Sequence, residues 1–376
     1  MPVHVVHANV VRPRERIEPE QLLRSWPTLP DIATAVQRAG AEVTVLQCFH
    51  RDAELLASGV RYLFVREPGL PRKLAGLAPW RLASAAKAVS SDIIHLNGFE
   101  FAAHARLLCG LGIPVLVQDH ASSLQMRFPA RRSWGYRRIS AAAFTSAAQG
   151  ANFLAGAGLP KHTSLFEIPE SSTHFTPGDQ HSARLATGLS GDPAALWVGR
   201  LNSNKDPLTI LAAAGLALRA LPGLQLWCCF TEDDLLPAVT GFLAANPELA
   251  RHVHLLGKVP HARVELLCRA ADFFLIGSKE ESTGYALIEA LACGATPIVS
   301  DIPAFRAVTG NGAVGRLVPR GDAAAFAKAL VDLAEGDPSQ LRAAALEHFA
   351  KSLSFDVVGA KLVDAYRSIL AAGDAR

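Results

Sequence analysis

The first half of the chain alternates short β-branched, apolar runs with longer segments rich in Ala and Leu. In the longer segments, such as Pro30–Ala39 and Phe101–Leu111, apolar residues recur at helical spacing and a glycine follows. This alternation is typical of β-α-β units with parallel strands, and it predicts an α/β fold. The runs predicted as strands are Val3–Val11, Glu42–Gln47, Arg61–Val65, Asp92–Asn97, Pro114–Gln118, Ala141–Thr145 and Thr163–Ile168.

A polar stretch with several Pro and Gly residues, Ser171–Asp192, interrupts the pattern and is predicted to link two domains. A second alternating series follows, so the sequence predicts two Rossmann-like domains, 1–175 and 176–354, with parallel sheets that face each other across a cleft. The last helix, Phe355–Ala372, is amphipathic. The strands predicted in the second series are Ala194–Val198, Leu224–Phe230, His252–Leu256, Asp272–Ile276, Thr296–Ser300 and Gly315–Val318.

Composition narrows the range of functions. The 376 residues are enough to build two cores. A formal net charge of +3 is too small to favour nucleic acid as a partner, so a small or locally recognised ligand is expected. Six cysteines lie mostly in apolar runs without metal-site spacing, and the N-terminal run Met1–Val11 lacks the features of a signal peptide. Both observations predict a cytoplasmic protein with reduced thiols.

Two cations follow the first strand of the second domain. The sequence V-G-R-L at 198–201 ends this strand, Lys205 lies five residues after the arginine, and a helix is predicted to begin near Pro207. Ligands of parallel sheets bind beyond the carboxyl ends of the strands, where an Arg and a Lys together suit a pyrophosphate. Gly199, Arg200 and Lys205 are therefore predicted to contact a diphosphate. The alternative, equally open from these residues alone, is a solvated loop.

Two glutamates bracket a later turn from strand to helix. Glu281 is predicted to lie in the loop and Glu289 one to two turns into the helix, among apolar neighbours. Burying Glu289 is costly unless it accepts hydrogen bonds, which the hydroxyls of a ribose could donate. The alternative is an amphipathic helix with one exposed glutamate. The residues whose backbone N–H groups would open this helix and point toward an anion are Ser282, Thr283, Gly284 and Tyr285.

These motifs resemble those of retaining glycosyltransferase family 4, also called glycosyltransferase group 1. The patterns are G-R-L-x3-K at 199–205, S-x2-E-x2-G-x4-E-A-x-A-x-G-x2-P at 278–297 and G-x-L-V-P-x-G-D at 315–322. The resemblance spans most of the chain. It implies the GT-B fold, with acceptor binding in the first domain, donor binding in the second, and a last helix, 355–376, that crosses back to the first domain.

The resemblance also implies a role for each motif residue. Arg200 and Lys205 would hold the diphosphate of a nucleotide diphosphate sugar, Glu289 would hold the ribose, and Glu281 would face the transferred sugar. The anomeric configuration would be retained, and UDP, GDP and ADP stay open as the nucleotide. The residues whose backbone would contact the base are Gly257, Lys258 and Val259.

The sequence departs from the family pattern in three places. Ser282 and Thr283 stand where members often have Gly-Phe, which leaves the donor sugar open. The usual glycine-rich loop after the first strand is replaced by a charged segment, 12–26, so acceptor contacts cannot be transferred from the family. The common Asn-Gly-Val-Asp after the interdomain proline is replaced by the residues at 170–173.

One histidine is the best candidate of the first domain. His120 follows the apolar run Val115–Val117 and is predicted to lie on the rim of the cleft with Asp119. It would hydrogen-bond the sugar or the leaving phosphate, or position the acceptor; the alternative is a surface histidine. No D-x-D sequence occurs that would hold a divalent ion against a diphosphate. No metal and no cofactor is therefore expected.

A basic and aromatic stretch is not explained by these motifs. From Arg127 to Arg138, five arginines are interleaved with Phe128, Trp134 and Tyr136. This composition would suit an anionic membrane surface or an acidic acceptor such as a lipid phosphate, which would place the protein at the inner face of the membrane. A solvated helix face is the equally open alternative.

The sequence therefore predicts a metal-independent glycosyltransferase that takes part in polysaccharide or glycoconjugate biosynthesis. Its acceptor would be a saccharide, a lipid-linked molecule or another small molecule. Two alternatives belong to other classes of protein. A nucleotide-sugar epimerase or hydrolase would turn over its donor without an acceptor, and a non-catalytic nucleotide-sugar-binding protein would bind the donor only.

Overall fold

The computed structural model describes residues 2–67, 80–120, 134–157 and 163–374. The chain divides into two compact units. The first unit is formed by the chain up to Ser171 together with the segment from Phe355 onward, and the second unit is Ser172–Ser354. The sequence predicts this division after residue 175.

The described residues of the first unit form an eight-stranded sheet. The strands are β1 (His4–Asn9), β2 (Glu42–Phe49), β3 (Ala53–Ala57), β4 (Val60–Arg66), β5 (Ile93–Asn97), β6 (Val115–Gln118), β7 (Ala141–Phe144) and β8 (Ser164–Glu167). Their order is β3-β4-β2-β1-β5-β6-β7-β8, and all neighbours are parallel except β3 and β4. The β3–β4 hairpin, which turns at Ser58 and Gly59 with positive φ at both, was not predicted.

Helices cover both faces of this sheet. They are α1 (Pro19–Ser25), α2 (Thr28–Arg38), α3 (Trp80–Ala88), α4 (Ala102–Cys109) and α5 (Ala147–Ala157). Side chains such as Val45 and Leu116 pack with α1 and α2, whereas Leu46 and Val117, their neighbours along the strands, pack with α3 and α4. Successive strand residues point to opposite faces, so the central strands are buried on both sides, as their continuous apolar sequences predict, whereas the edge strands β3 and β8 are partly exposed.

The second unit, which the structure describes throughout, has a parallel six-stranded sheet. The strands are β9 (Ala194–Gly199), β10 (Gln225–Phe230), β11 (Val253–Gly257), β12 (Phe273–Ile276), β13 (Thr296–Ser300) and β14 (Arg316–Val318). The helices are α6 (Gln180–Thr187), α7 (Pro207–Ala217), α8 (Leu236–Ala244), α9 (Pro247–Ala250), α10 (His261–Ala270), α11 (Tyr285–Cys293), α12 (Pro303–Val308), α13 (Ala323–Ala334) and α14 (Pro338–Ser352). The sheet order is β11-β10-β9-β12-β13-β14.

The predicted linker contains a helix, which corrects the sequence analysis. Asp179 caps the N-terminus of α6 by accepting a hydrogen bond from the backbone of Ser182 at 2.8 Å. Gly188, with φ of +73°, ends the helix in the left-handed conformation. Both signals are present in the sequence. The neighbouring Pro and Gly residues are typical of a loop and obscure the helix signal of these two capping residues.

The last helix, α15 (Phe355–Asp374), packs on the first unit against α2. Gly359 allows a close approach, because a Cβ added there would lie 2.3 Å from the carbonyl oxygen of Ala35. Tyr366 of α15 places its hydroxyl 3.1 Å from His7 Nε2 and 2.7 Å from His95 Nδ1. Burial lowers the pKa of His7 to about 3, so this imidazole is neutral at physiological pH.

Candidate functional site

The strand order of the second unit defines where a ligand would bind. The chain builds outward from β9 to β10 and β11, then returns to the other side of β9 with β12, β13 and β14. In open parallel sheets, ligands bind beyond the carboxyl ends of the strands at such a reversal. The reversal lies between β9 and β12, and the two predicted motifs begin directly after these strands.

The loop after β9 carries the two predicted cations in different surroundings. Arg200 is half exposed, and its guanidinium lies 3.7 Å from the carboxylate of Glu232. Lys205 is mostly buried, with 12% of its side chain exposed. Its stem passes over Gly199, where an added Cβ would lie 3.4 Å from Lys205 Cγ. The side chain of Asn202 accepts hydrogen bonds from the backbone N–H groups of the loop, which fixes this turn.

The ammonium of Lys205 contacts the carboxylate of Glu281, which is 13% exposed. The family resemblance implies that these two residues contact separate parts of a donor, whereas in the structure they form an ion pair. Because both groups are largely removed from water, each contributes to the charge compensation of the other. Any ligand that contacts one of them is therefore affected by the other.

A residue that the sequence analysis missed joins the two loops. Asn204 Nδ2 donates to the carbonyl of Glu280 at 2.9 Å, and Asn204 Oδ1 accepts from the backbone N–H of Glu280 at 3.2 Å. The backbone N–H of Lys279 donates to the carbonyl of Asn204 at 2.8 Å. These bonds hold the loop after β9 against the loop after β12. Asn204 lies within the G-R-L-x3-K pattern, at a position that the pattern leaves unspecified.

Gly284 caps the N-terminus of α11, three residues after Glu281 of this ion pair. Its φ is +89°, and a Cβ added there would lie 2.5 Å from the ring of Phe305, so both backbone and packing require glycine. Glycine offers no side chain to accept the first N–H groups of the helix, and the first turn contains no acidic residue. Of the neighbouring motif residues, Thr283 is buried and Tyr285 is exposed. Ser282 is partly buried.

Glu289 lies in the second turn of α11, with 14% of its side chain exposed. Its Oε1 is 2.6 Å from Nε2 of His261, the first residue of α10, which the sequence analysis did not single out. Burial raises the pKa of Glu289, and the contact with His261 opposes this shift. The alternative of an exposed glutamate is wrong for Glu289. The imidazole provides one of the hydrogen bonds that such burial requires.

The predicted base-contacting segment follows edge strand β11 at the same carboxyl edge of the sheet. Gly257 has φ of +64°, which lets the chain turn there. Lys258 is exposed and Val259 packs against the apolar core. Two residues later, His261 begins α10 and reaches Glu289. The segment is thus connected to the helix that carries the second motif glutamate.

His120 belongs to the first unit and lies two residues after β6. Its Nδ1 is 3.4 Å from Oε2 of Glu170, and burial lowers the pKa of His120 to about 4. Gln118 donates to the carbonyls of Ile168 and Pro169, which fixes the segment that carries Glu170. His120 Nε2 is buried with no hydrogen-bond partner among the described residues. In the sequence, Glu170 is marked only by its departure from the family pattern.

The basic and aromatic stretch is described only in part, because residues 127–133 lie outside the described ranges. Trp134 is 48% exposed, but Tyr136 is buried and its hydroxyl donates to the carbonyl of Phe99 at 2.5 Å. Tyr136 is therefore a core residue, which corrects its predicted place on a binding surface.

Across the described ranges, no helix is both long and apolar enough to cross a membrane. Nor do three or more His, Cys, Asp or Glu side chains there form a group that could hold a metal ion.

Comparison with known proteins extends these observations to both units. The family model for glycosyl transferases group 1 matches residues 182–347, and the model for Glycosyltransferase Family 4 matches residues 29–162. A phosphatidyl-myo-inositol mannosyltransferase of Mycobacterium leprae is 33% identical over 204 residues, which are 51% of this chain and 52% of that protein. A D-inositol 3-phosphate glycosyltransferase of Nocardia farcinica is 32% identical over 192 residues, 49% of this chain and 42% of that protein.

The chain thus spans about half the length of these curated relatives. The solved structure of a sucrose-phosphate synthase from Thermosynechococcus elongatus matches 98% of this chain and 100% of its own, with a TM-score of 0.66 and 20% sequence identity. This likeness, together with the two mainly parallel sheets, confirms the predicted pair of Rossmann-like domains of the GT-B fold. Since the two family models match the two halves of the chain, the chain belongs to glycosyltransferase family 4.

Proposed function

We propose that the chain is a glycosyltransferase that moves a sugar from a nucleotide diphosphate sugar to an acceptor hydroxyl, without a metal ion and with retention of configuration. One observation carries the proposal: two cations, the Lys205–Glu281 ion pair and the glycine-capped start of α11 adjoin the strand reversal of the second unit. A diphosphate needs positive charge and N–H donors, and this edge of the sheet supplies both.

The same groups account for the proposed chemistry of the donor. Negative charge grows on the diphosphate as the bond to the sugar breaks, and Arg200, Lys205 and the N-terminus of α11 stabilise it. Glu281 faces the sugar while it keeps Lys205 in place. The proton of the acceptor hydroxyl passes to the departing phosphate oxygen, so Glu281 orients the sugar and forms no covalent bond to it.

The remaining donor contacts are assigned to the nucleoside. The carboxylate of Glu289 accepts hydrogen bonds from the ribose, and the backbone at 257–259 contacts the base. His261 supports this assignment, because it keeps the buried carboxylate of Glu289 hydrogen-bonded before any ribose arrives. Ser282 and Thr283, with the backbone of Gly284 and Tyr285, are assigned to the diphosphate and the sugar.

In the first unit, we assign His120 to a hydroxyl of the sugar or the acceptor. Since burial keeps its imidazole neutral, Nε2 can accept or donate one hydrogen bond without the cost of a buried charge. The relatives named for inositol phosphate and phosphatidyl-myo-inositol support an inositol-type or saccharide acceptor. We further propose that the protein works in the cytoplasm, at the inner face of the membrane.

A ligand screen followed by a transfer assay tests the proposal. Thermal shift with UDP, GDP, ADP and their sugars identifies the nucleotide, because a ligand that binds the folded state raises the unfolding temperature. Transfer to inositol, inositol phosphate and simple saccharides is then measured with the sugar nucleotide that stabilises most. Donor turnover that needs no acceptor would instead identify an epimerase or hydrolase, and binding without turnover a non-catalytic binding protein.

Excess EDTA is expected to leave the transfer rate unchanged. The charge of the diphosphate is assigned to side-chain cations and helix N–H groups, so removal of divalent ions takes away nothing that the proposed mechanism uses. The measurement is the initial rate with EDTA, with EDTA and added Mg²⁺, and with neither. Loss of the rate in EDTA and its recovery with Mg²⁺ or Mn²⁺ would contradict the metal-free assignment.

His261→Ala is expected to raise the pH below which nucleotide affinity is lost. Burial raises the pKa of Glu289 and His261 holds it down, so the variant carboxyl takes up its proton at a higher pH. Nucleotide affinity, which uses the ionised carboxylate, then falls earlier as the pH is lowered. Titration calorimetry across mildly acidic and neutral pH measures this. His254→Ala, a histidine on β11 beside Trp227, is the matched control and should leave the profile in place.

A further inference from the structure

A basic groove lies on the first unit between α3, α4 and the segment 134–138. Its cavity is about 890 Å³, and each of the three elements contributes side chains to the lining. The groove is on the face of the sheet that α3 and α4 cover, which is opposite to the face covered by α2 and α15. The six side chains that define it are Trp80, Lys87, Arg106, Trp134, Arg137 and Arg138.

The charges in this groove have one sign. Four of its defining side chains are cations, and no Asp or Glu is among its described lining residues. The segregation extends beyond the groove, because the described segments 80–91, 101–118 and 134–157 contain no acidic residue. The whole chain has 37 Lys and Arg against 34 Asp and Glu. The Lys and Arg side chains of these segments therefore have no acidic neighbour within the same segment, although Glu67 and Asp52 contact the start of α3.

The groove also exposes two large aromatic rings. Trp80 is 58% exposed and Trp134 is 48% exposed, and the guanidinium carbon of Arg106 lies 4.0 Å from the centre of the Trp134 ring. Trp prefers the boundary between water and hydrocarbon, where its ring is in apolar surroundings and its N–H remains hydrated. Exposed indoles between cations are the combination that interfacial membrane-binding surfaces use.

We propose that this groove docks on an anionic phospholipid bilayer. The four cations are all exposed and spread over three elements, which suits a layer of phosphodiester headgroups. A site for one soluble phosphate would instead converge its donors on one enclosed point. The surface differs from the stretch predicted from sequence, since α3 and α4 contribute half of it and Tyr136 is in the core. The proposal goes beyond the transferase function and does not depend on it.

Vesicle co-sedimentation of the full chain tests the proposal. We expect it to sediment with vesicles of phosphatidylcholine mixed with phosphatidylglycerol, to stay in solution with phosphatidylcholine alone, and to be released by salt. Lys87→Gln, Arg106→Gln and Arg138→Gln should each lower the partition coefficient about fivefold, the effect of one cation at such a surface. Trp80→Ala and Trp134→Ala should weaken binding, and the tryptophan fluorescence of the wild type should shift to the blue on binding.

Two variants of the second unit are the matched controls. Lys328→Gln and Lys351→Gln remove lysines that are 75% and 71% exposed, and both should sediment like the wild type. Three results would each overturn the proposal. The control variants could lose as much vesicle binding as the groove variants, the wild type could bind neutral vesicles as well as anionic ones, or inorganic phosphate at constant ionic strength could release the bound protein. Transfer to a water-soluble acceptor should be normal in the groove variants. If the proposed transferase function is wrong, the wild type will show no transfer, whether or not it binds vesicles.

Discussion

Lys205→Ala is expected to lower turnover and affinity for the nucleotide diphosphate together, with a loss of transition-state stabilisation of about 2–4 kcal/mol. The ammonium is mostly buried and contacts Glu281, so it is held in place before a donor binds. Its removal withdraws a preorganised charge from the diphosphate and takes the ion-pair partner Lys205 away from the carboxylate of Glu281. Steady-state transfer rates and titration calorimetry with the bare nucleotide diphosphate measure the two effects.

Lys328→Ala is the matched control, because Lys328 also pairs with a carboxylate, that of Asp332, but is 75% exposed. Exposed pairs contribute little, so this variant should behave like the wild type. Arg200→Ala should act in the same direction as Lys205→Ala and more weakly, since its guanidinium is half exposed and 3.7 Å from Glu232. A Lys205→Ala variant with normal kcat/KM would contradict the assignment of this cation to the diphosphate.

Glu281→Gln is expected to affect chemistry and binding differently: the transfer rate should fall, whereas the affinity for the bare nucleotide diphosphate should not. The amide preserves the shape of the side chain but loses the charge-assisted hydrogen bond to the sugar. The activation free energy of transfer should therefore rise by about 2–3 kcal/mol, and the transfer rate should fall accordingly. The sequence alone predicts unchanged affinity for the bare nucleotide diphosphate. The ion pair changes this expectation: without the carboxylate, the charge of Lys205 is no longer offset, and the diphosphate should bind more tightly. The same two measurements detect this divergence.

Glu280→Gln is the control for this variant, because it makes the same change at the neighbouring exposed residue. Both its transfer rate and its nucleotide affinity should match the wild type. The double variant Lys205→Ala/Glu281→Ala should lose less than the sum of the single changes, since the two side chains act as a unit. A Glu281→Gln variant that transfers normally, or that loses nucleotide binding as Lys205→Ala does, would refute the role of Glu281.

The order of strands and helices could be predicted because burial on both faces of a parallel sheet leaves a strong local signal. The predicted strand Ala194–Val198 corresponds to β9, and His252–Leu256 is shifted by one residue from β11. Segments without a two-sided apolar run were missed. The edge strand β3 alternates partly buried with exposed residues, and α1 is a seven-residue helix within the charged segment after β1.

The contacts within the candidate site were less accessible to sequence reasoning. Lys205 and Glu281 are 76 positions apart, and their contact depends on β9 and β12 being adjacent, which the order of elements along the chain does not specify. His261 and Glu170 belong to no motif, so only the folded chain shows that they contact Glu289 and His120. Motif spacing identified residues that share a site, whereas the tertiary structure determines which of them pair.

The position of Tyr366 has a consequence for the order in which the protein folds during synthesis. The first unit includes α15. The hydroxyl of Tyr366 on this helix contacts His7 on β1 and His95 on β5, two central strands of the sheet. A ribosome delivers β1 and β5 long before this helix, whereas the second unit is one uninterrupted segment. Domains generally fold as units as they emerge. The second unit can therefore form its core from one continuous segment, whereas the core of the first unit needs α15 in addition to strands that are made much earlier.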